Sequence, residues 1–159
     1  MRNALLAWLL LAPAARAEIS VADGLTQEST VAPGESREGA LRLKNLGAAP
    51  AEAKIYQTDY LFYCDGRNLY GTPAGKDPRS NAKWIELSND FLTIPPKETV
   101  TLNYSIKVPK SDALSGTYWS LIMVEEAPLA PPKGEDGKNQ VQIGIRQVIR
   151  YGVQMITHV

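Results

Sequence analysis

The side chains that most often carry catalysis are sparse in this chain. There is one histidine, His158, and one cysteine, Cys64. Acyl or phosphoryl transfer needs a nucleophile, a base and a charge-stabilising group within reach of one another. The spacing supplies no such set: there is no G-x-S-x-G elbow, no phosphate-binding glycine loop and no Cys/His cluster at metal-ligand spacing. The acidic pairs Glu125-Glu126 and Glu135-Asp136 come nearest to a carboxylate site, and the second sits between Gly134 and Gly137 as a solvated loop. Asn103-Tyr104-Ser105 has the form of a glycosylation sequon but falls inside a strand pattern. The reading is a non-enzyme with no metal and no cofactor. A single cysteine also rules out an internal disulfide, so packing alone must hold the domain.

A different chemistry is written in Asn139–Met155, NQVQIGIRQVIRYGVQM. Val141, Ile143, Ile145, Ile149, Tyr151, Val153 and Met155 take the odd positions, while Gln142, Arg146, Arg150 and Gln154 take even ones. A period of two is a strand signal. At ~3.3 Å per residue this stretch would reach about 55 Å, whereas a typical strand has ~5–6 residues. So long a strand raises the question of what it pairs with and why it carries two arginines. The alternation fits an ordinary core strand whose solvated face carries Arg146 and Arg150.

The elements that must position this strand are also strands. Ile19–Leu25 is the first. Glu38–Asn45 alternates after an Ala32-Pro33-Gly34-Glu35 turn, and Ala51–Tyr63 follows. Asp65-Gly66 is a hairpin signal, because glycine accepts a positive φ, and Asn68–Tyr70 returns from it. A loop of turn formers spans Gly71–Ala82. Trp84–Leu87, Phe91–Ile94, Thr99–Val108 and Gly116–Glu125 complete the set. Within Thr99–Val108, Val100, Leu102, Tyr104, Ile106 and Val108 are predicted to point inward. Trp84, Tyr118 and Trp119 are read as core aromatics. Helical periodicity is nearly absent, and strands recurring with turn punctuation indicate an all-β, antiparallel sandwich of seven or eight strands.

The opening residues give an address. Met1-Arg2-Asn3 is a short positive start, Ala4–Ala12 is apolar but shorter than the ~20 residues a membrane-spanning helix needs, and Ala15-Arg16-Ala17 is a cleavage pattern. Residues 1–17 are therefore read as a secretory signal peptide cut after Ala17. About 140 residues remain, enough for one domain with its own core. The chain has 17 Lys and Arg against 17 Asp and Glu. Losing Arg2 and Arg16 takes 17 minus 17 to 15 minus 17, a net charge of −2, which offers no attraction to nucleic acid or to an anionic membrane. The basic residues are scattered and do not interleave with aromatics, which also argues against nucleic acid. The final residues, YGVQMITHV, stop within a strand pattern, as expected of a fragment of a longer protein.

The order of the motifs carries a resemblance. A Pro33-Gly34 turn precedes Leu41–Asn45 (LRLKN); then come Trp84-Ile85, Ile94–Pro109 (IPPKETVTLNYSIKVP), Gly116–Pro128 (GTYWSLIMVEEAP) and Asn139–Arg150. This series resembles the N-terminal immunoglobulin-like domain of periplasmic pilus-assembly chaperones, the PapD-like group, and related envelope proteins built on that domain. The resemblance covers nearly all of residues 18–155. It implies a periplasmic protein that binds secreted or pilin-like subunits by strand addition through its last strand, an outer-membrane usher as a further partner, and a second β domain after residue 159. Val141, Ile143 and Ile145 match the family's apolar trio, and Arg150 falls where the family has a lysine that anchors the partner's terminal carboxylate. The expectation is an exposed strand over residues 141–145 with Arg150 accessible in a cleft. The family's first-strand basic anchor aligns near Ser29, but Ile19–Val31 contains no Lys or Arg; Asn103 replaces an arginine, and Gly152-Val153-Gln154 replaces the family's hinge. The alternative is an envelope structural or adhesion module that presents a sandwich surface to another protein or to the cell wall.

Overall fold

The computed structural model describes residues 19–127 and 148–159. These residues form β1 Ile19–Val21, β2 Thr26–Thr30, β3 Ser36–Asn45, β4 Ala51–Phe62, β5 Asn68–Pro73, a 3-10 turn Ala82–Trp84, β6 Ile85–Leu87, β7 Phe91–Ile94, β8 Thr99–Lys107, β9 Thr117–Glu126 and β10 Arg150–His158. One sheet runs β1-β3-β8-β6. The other runs β2-β10-β9-β4-β5, with β7 paired to the first part of β4. Neighbours are antiparallel except β2 and β10, which run parallel. This is the expected immunoglobulin-like sandwich. The signal-peptide residues lie outside the described residues.

The described residues hold ten strands rather than seven or eight, partly because the expected first strand is broken. Asp23 accepts hydrogen bonds from the Arg42 backbone N–H at 2.6 Å and the Arg42 Nε at 2.7 Å, which ends the pairing of β1 with β3. Gly24 then adopts φ +83°, in the left-handed region that glycine enters without penalty. The chain crosses to the other sheet and continues as β2, beside the far end of β10.

The core lies between the sheets. It is built from Ile19, Leu41, Leu43, Ile55, Ile94, Leu102, Ile106, Ile122, Val124, Val153 and Met155. In β8 the expected alternation holds: Leu102 and Ile106 are buried, and Val100 and Tyr104 pack half-buried against the core. The Tyr104 ring lies across Gly39, its partner in the register, where an added Cβ would come within 2.3 Å of the ring. Trp84 and Tyr118 meet at 4.5 Å between ring centroids at the edge of the core. Trp119 differs from expectation. Adjacent strand residues point to opposite faces, so with Tyr118 inward Trp119 faces outward. There it donates to the Tyr60 carbonyl at 2.8 Å and lies 5.4 Å from Phe62.

Two buried polar side chains tie loops to the sandwich. Asn45 donates to the carbonyls of Ala49 and Ile94 and accepts from Gly47 N–H. Asp59 accepts backbone N–H groups from Gly75, Lys76 and Asp77 at 2.7–2.8 Å, which folds the loop after β5 back onto β4.

Candidate functional site

The last strand is where the sequence places function, and β10 has two different neighbours. β9 pairs with it from Arg150 to His158. β2 pairs only from Gln154 to His158. Gln154 N–H donates to the Leu25 carbonyl at 2.8 Å on the β2 side. Because backbone groups alternate sides along a strand, the N–H and C=O groups of Gly152 and Arg150 face that same side. Among the described residues they have no strand beside them. Among the described residues, Arg150–Val153 is thus an open sheet edge.

Side chains along this edge follow the period of two. Tyr151, Val153 and Met155 face the core, whereas Arg150, Gly152 and Gln154 face outward. Gly152 keeps the outer face low: a Cβ there would meet Leu121 at 3.3 Å and Met123 at 3.4 Å. Val141, Ile143 and Ile145, the expected partner-binding trio, lie outside the described residues, as do Arg146 and the Glu135-Asp136 pair.

Arg150 stands on the open outer face of the second sheet. Its Nε donates to Glu125 Oε2 at 2.9 Å and its Nη2 to Glu125 Oε1 at 3.3 Å. The two residues are register partners across β9 and β10. Glu125 Oε2 also accepts from the Tyr56 hydroxyl at 3.2 Å. These hydrogen bonds and the Glu125 charge raise the Arg150 pKa above its usual value. Burial, reinforced by Glu125, pushes the Tyr56 hydroxyl up as well. The two-pronged grip foreseen for a partner's carboxylate is therefore made within the chain, and an incoming carboxylate has to share or displace Glu125. Glu125 was visible in the sequence only as half of an acidic pair; the register of β9 against β10 gives it its partner.

The resemblance aligns a first-strand basic residue near Ser29. Ser29 sits on β2 opposite Thr157. It lines a cleft of about 200 Å³ between β2 and β3, together with Gln27, Arg37, Gly39, Tyr104 and Met155. Arg37 reaches this cleft from β3, and the carboxylates of Glu28 and Glu38 line it as well. His158 bridges Glu28 Oε1 at 2.6 Å and Thr117 Oγ1 at 3.0 Å, joining β2, β10 and β9. Cys64 is exposed at the β4–β5 turn. Among the described residues no group of three or more His, Cys, Asp or Glu is placed to hold a metal ion, and no helix is long and apolar enough to cross a membrane.

No family profile matches the chain, and no curated protein sequence does. Solved structures do. The ASH/PapD-like domain 7 of human CEP192 matches with a TM-score of 0.55 at 16% identity, over 98% of this chain and 96% of that one. A chain of the CsuC–CsuE chaperone–tip adhesion subunit pre-assembly complex, from the archaic chaperone-usher Csu pili of Acinetobacter baumannii, matches with a TM-score of 0.55 at 13% identity, over 89% of this chain and 57% of that one. The chaperone–tip adhesin complex of CFA/I fimbriae biogenesis gives 0.57 at 11% identity, over 88% and 55%. This chain spans just over half the length of those pilus-system chains. The fold is similar to that of PapD-like domains.

Proposed function

We propose that this protein is a non-enzymatic, periplasmic, chaperone-like protein that binds a secreted or pilin-like subunit by strand addition along its last strand. The observation that carries this reading is the edge of β10 at Arg150–Val153, where among the described residues no strand pairs with the Gly152 and Arg150 backbone groups. The likeness in fold to chains from chaperone–adhesin complexes supports it. In this reading Val141, Ile143 and Ile145 supply apolar side chains to the subunit, and Arg150 holds a terminal carboxylate in competition with Glu125. Burying the trio would contribute ~1.5–3 kcal/mol per residue, against an association cost of ~4–15 kcal/mol. The trio alone roughly breaks even, so backbone pairing along the edge has to supply the surplus. An outer-membrane usher is the further partner this reading implies.

The test is capture of subunits from the periplasm. Replacing Val141, Ile143 and Ile145 together with threonine should lower capture at least ~10-fold, and Arg150→Ala should lower it further and remove its salt dependence. Equal capture by wild type and both variants would refute strand addition. That result would favour the alternative of an envelope structural or adhesion module binding through a sandwich face. The Arg150–Glu125 pairing lends the alternative some weight, since it leaves no idle anchor, and a shared fold does not choose between functions.

A further inference from the structure

The β4–β5 hairpin plays no part in the proposed function, yet it is the most apolar exposed feature among the described residues. Phe62, Tyr63, Leu69 and Tyr70 are 55%, 43%, 50% and 67% exposed. The hairpin closes through Gly66 N–H donating to Tyr63 O and Tyr63 N–H donating to Arg67 O, both at 3.0 Å, with Gly66 at φ +85°. The second bond sets the parity of the ladder. Leu69, opposite Leu61, turns its backbone groups toward β4, and Asn68 and Tyr70 turn theirs away. β5 ends its sheet, so those groups face an open side among the described residues. Beyond Tyr70 the edge is blunted: Gly71 is bulged at φ +88° and donates to Thr58 Oγ1, and Pro73 has no N–H to offer. Bulges, prolines and charges are the usual protection of an edge strand. Residues 68–70 have none of them.

We propose that a second copy of this chain closes this edge, β5 pairing antiparallel with its counterpart about a two-fold axis at Leu69. Asn68 and Tyr70 of one copy then exchange N–H···O=C bonds with Tyr70 and Asn68 of the other. The two Leu69 residues meet on the axis as a non-hydrogen-bonded pair, with Cα atoms ~4.5 Å apart. Such an interface uses the same patch on both copies. A lone peptide would find only a three-residue ladder here, too short to hold it. A second copy brings its own Phe62, Tyr63, Leu69 and Tyr70, and apolar surface covers apolar surface on both faces of the ladder. Side chains of this size bury ~150–250 Å² each when fully covered. At half exposure the four offer on the order of 400 Å², about half of what each partner contributes to a standard interface; the backbone ladder and the rim supply the rest. Asp65 and Arg67 already pair with each other at 2.6 Å, so the axis brings no unpaired like charges together.

Sedimentation of the purified protein between about 1 and about 200 µM tests this, because a reversible dimer depends on concentration. The expected result is a doubling of mass across the range. Leu69→Lys should remain a monomer with an unchanged circular dichroism spectrum and melting temperature. In a Cys64→Ser background, Leu69→Cys treated with oxidised glutathione should yield a disulfide-linked dimer, and Glu35→Cys, on the remote turn before β3, should not. A monomer at every concentration overturns the proposal. So does a dimer that Leu69→Lys leaves intact, or a Leu69→Cys cross-link no faster than that of Glu35→Cys.

Discussion

Asp59 is a buried carboxylate whose charge is kept by what it accepts. Burial alone pushes its pKa up, but hydrogen bonds from the Ser80 side chain and from the backbone N–H groups of Asp77, Gly75 and Lys76 outweigh burial and hold it below the ordinary carboxylate value. A depressed pKa in the folded state means that this group adds stability above its unfolded pKa of ~3.9, and that the contribution is lost as pH falls through the folded value. Asp59→Asn should therefore lower unfolding stability by ~1–3 kcal/mol at neutral pH. Its melting curve should approach that of wild type as pH drops below about 4. A constant gap between the two proteins from neutral pH to acid would refute this account. Asp59 was not legible in the sequence, because its partners come from a loop that reads only as turn formers. Arg150 was legible as a charge on the even face of a strand, but its Glu125 partner was not, since an ion pair between strands depends on register.

Among the elements, β10 is the one with divided loyalties. Its last five residues pair on both sides and its first four on one. Amide hydrogen exchange should expose the difference. The Gly152 N–H faces the open edge and should exchange at least ~10-fold faster than those of Val153 and Met155. If Gly152 were protected as well as Val153 in the free protein, the edge would already be covered, and strand addition there would lose its basis. Element types were largely readable: the alternation of Thr99–Val108 became β8, and Gly116–Glu125 became β9 with a shift of one residue. Boundaries were less so. The first strand was broken by a side-chain cap from Asp23 to Arg42, a long-range contact that local pattern cannot contain. The hairpin strand β5 runs on to Pro73 because a bulge at Gly71 lets pairing resume beyond Tyr70.

At the scale of the whole molecule, the second and the last described strands lie side by side. β2 begins near one end of the sequence and β10 closes at the other, in the one parallel pairing among the described residues. The other pairings also join residues far apart in sequence, the β4–β5 hairpin excepted. Loops must close before such contacts reward them, and domains of this kind fold in milliseconds to seconds. Stopped-flow refolding should fall in that range, and microsecond folding would be incompatible with this topology. The sequence by itself determined the all-β class, the inward faces of the long strands and the scarcity of catalytic groups, because the period of two and residue chemistry are local properties. Only the tertiary structure decided which strand edges stay open among the described residues, that Arg150 is gripped by Glu125, that Trp119 turns outward while Tyr118 turns in, and that residues 68–70 have no described strand on their outer side. Each of these depends on which strand lies beside which and in what register, and register is fixed by the packing of both sheets together.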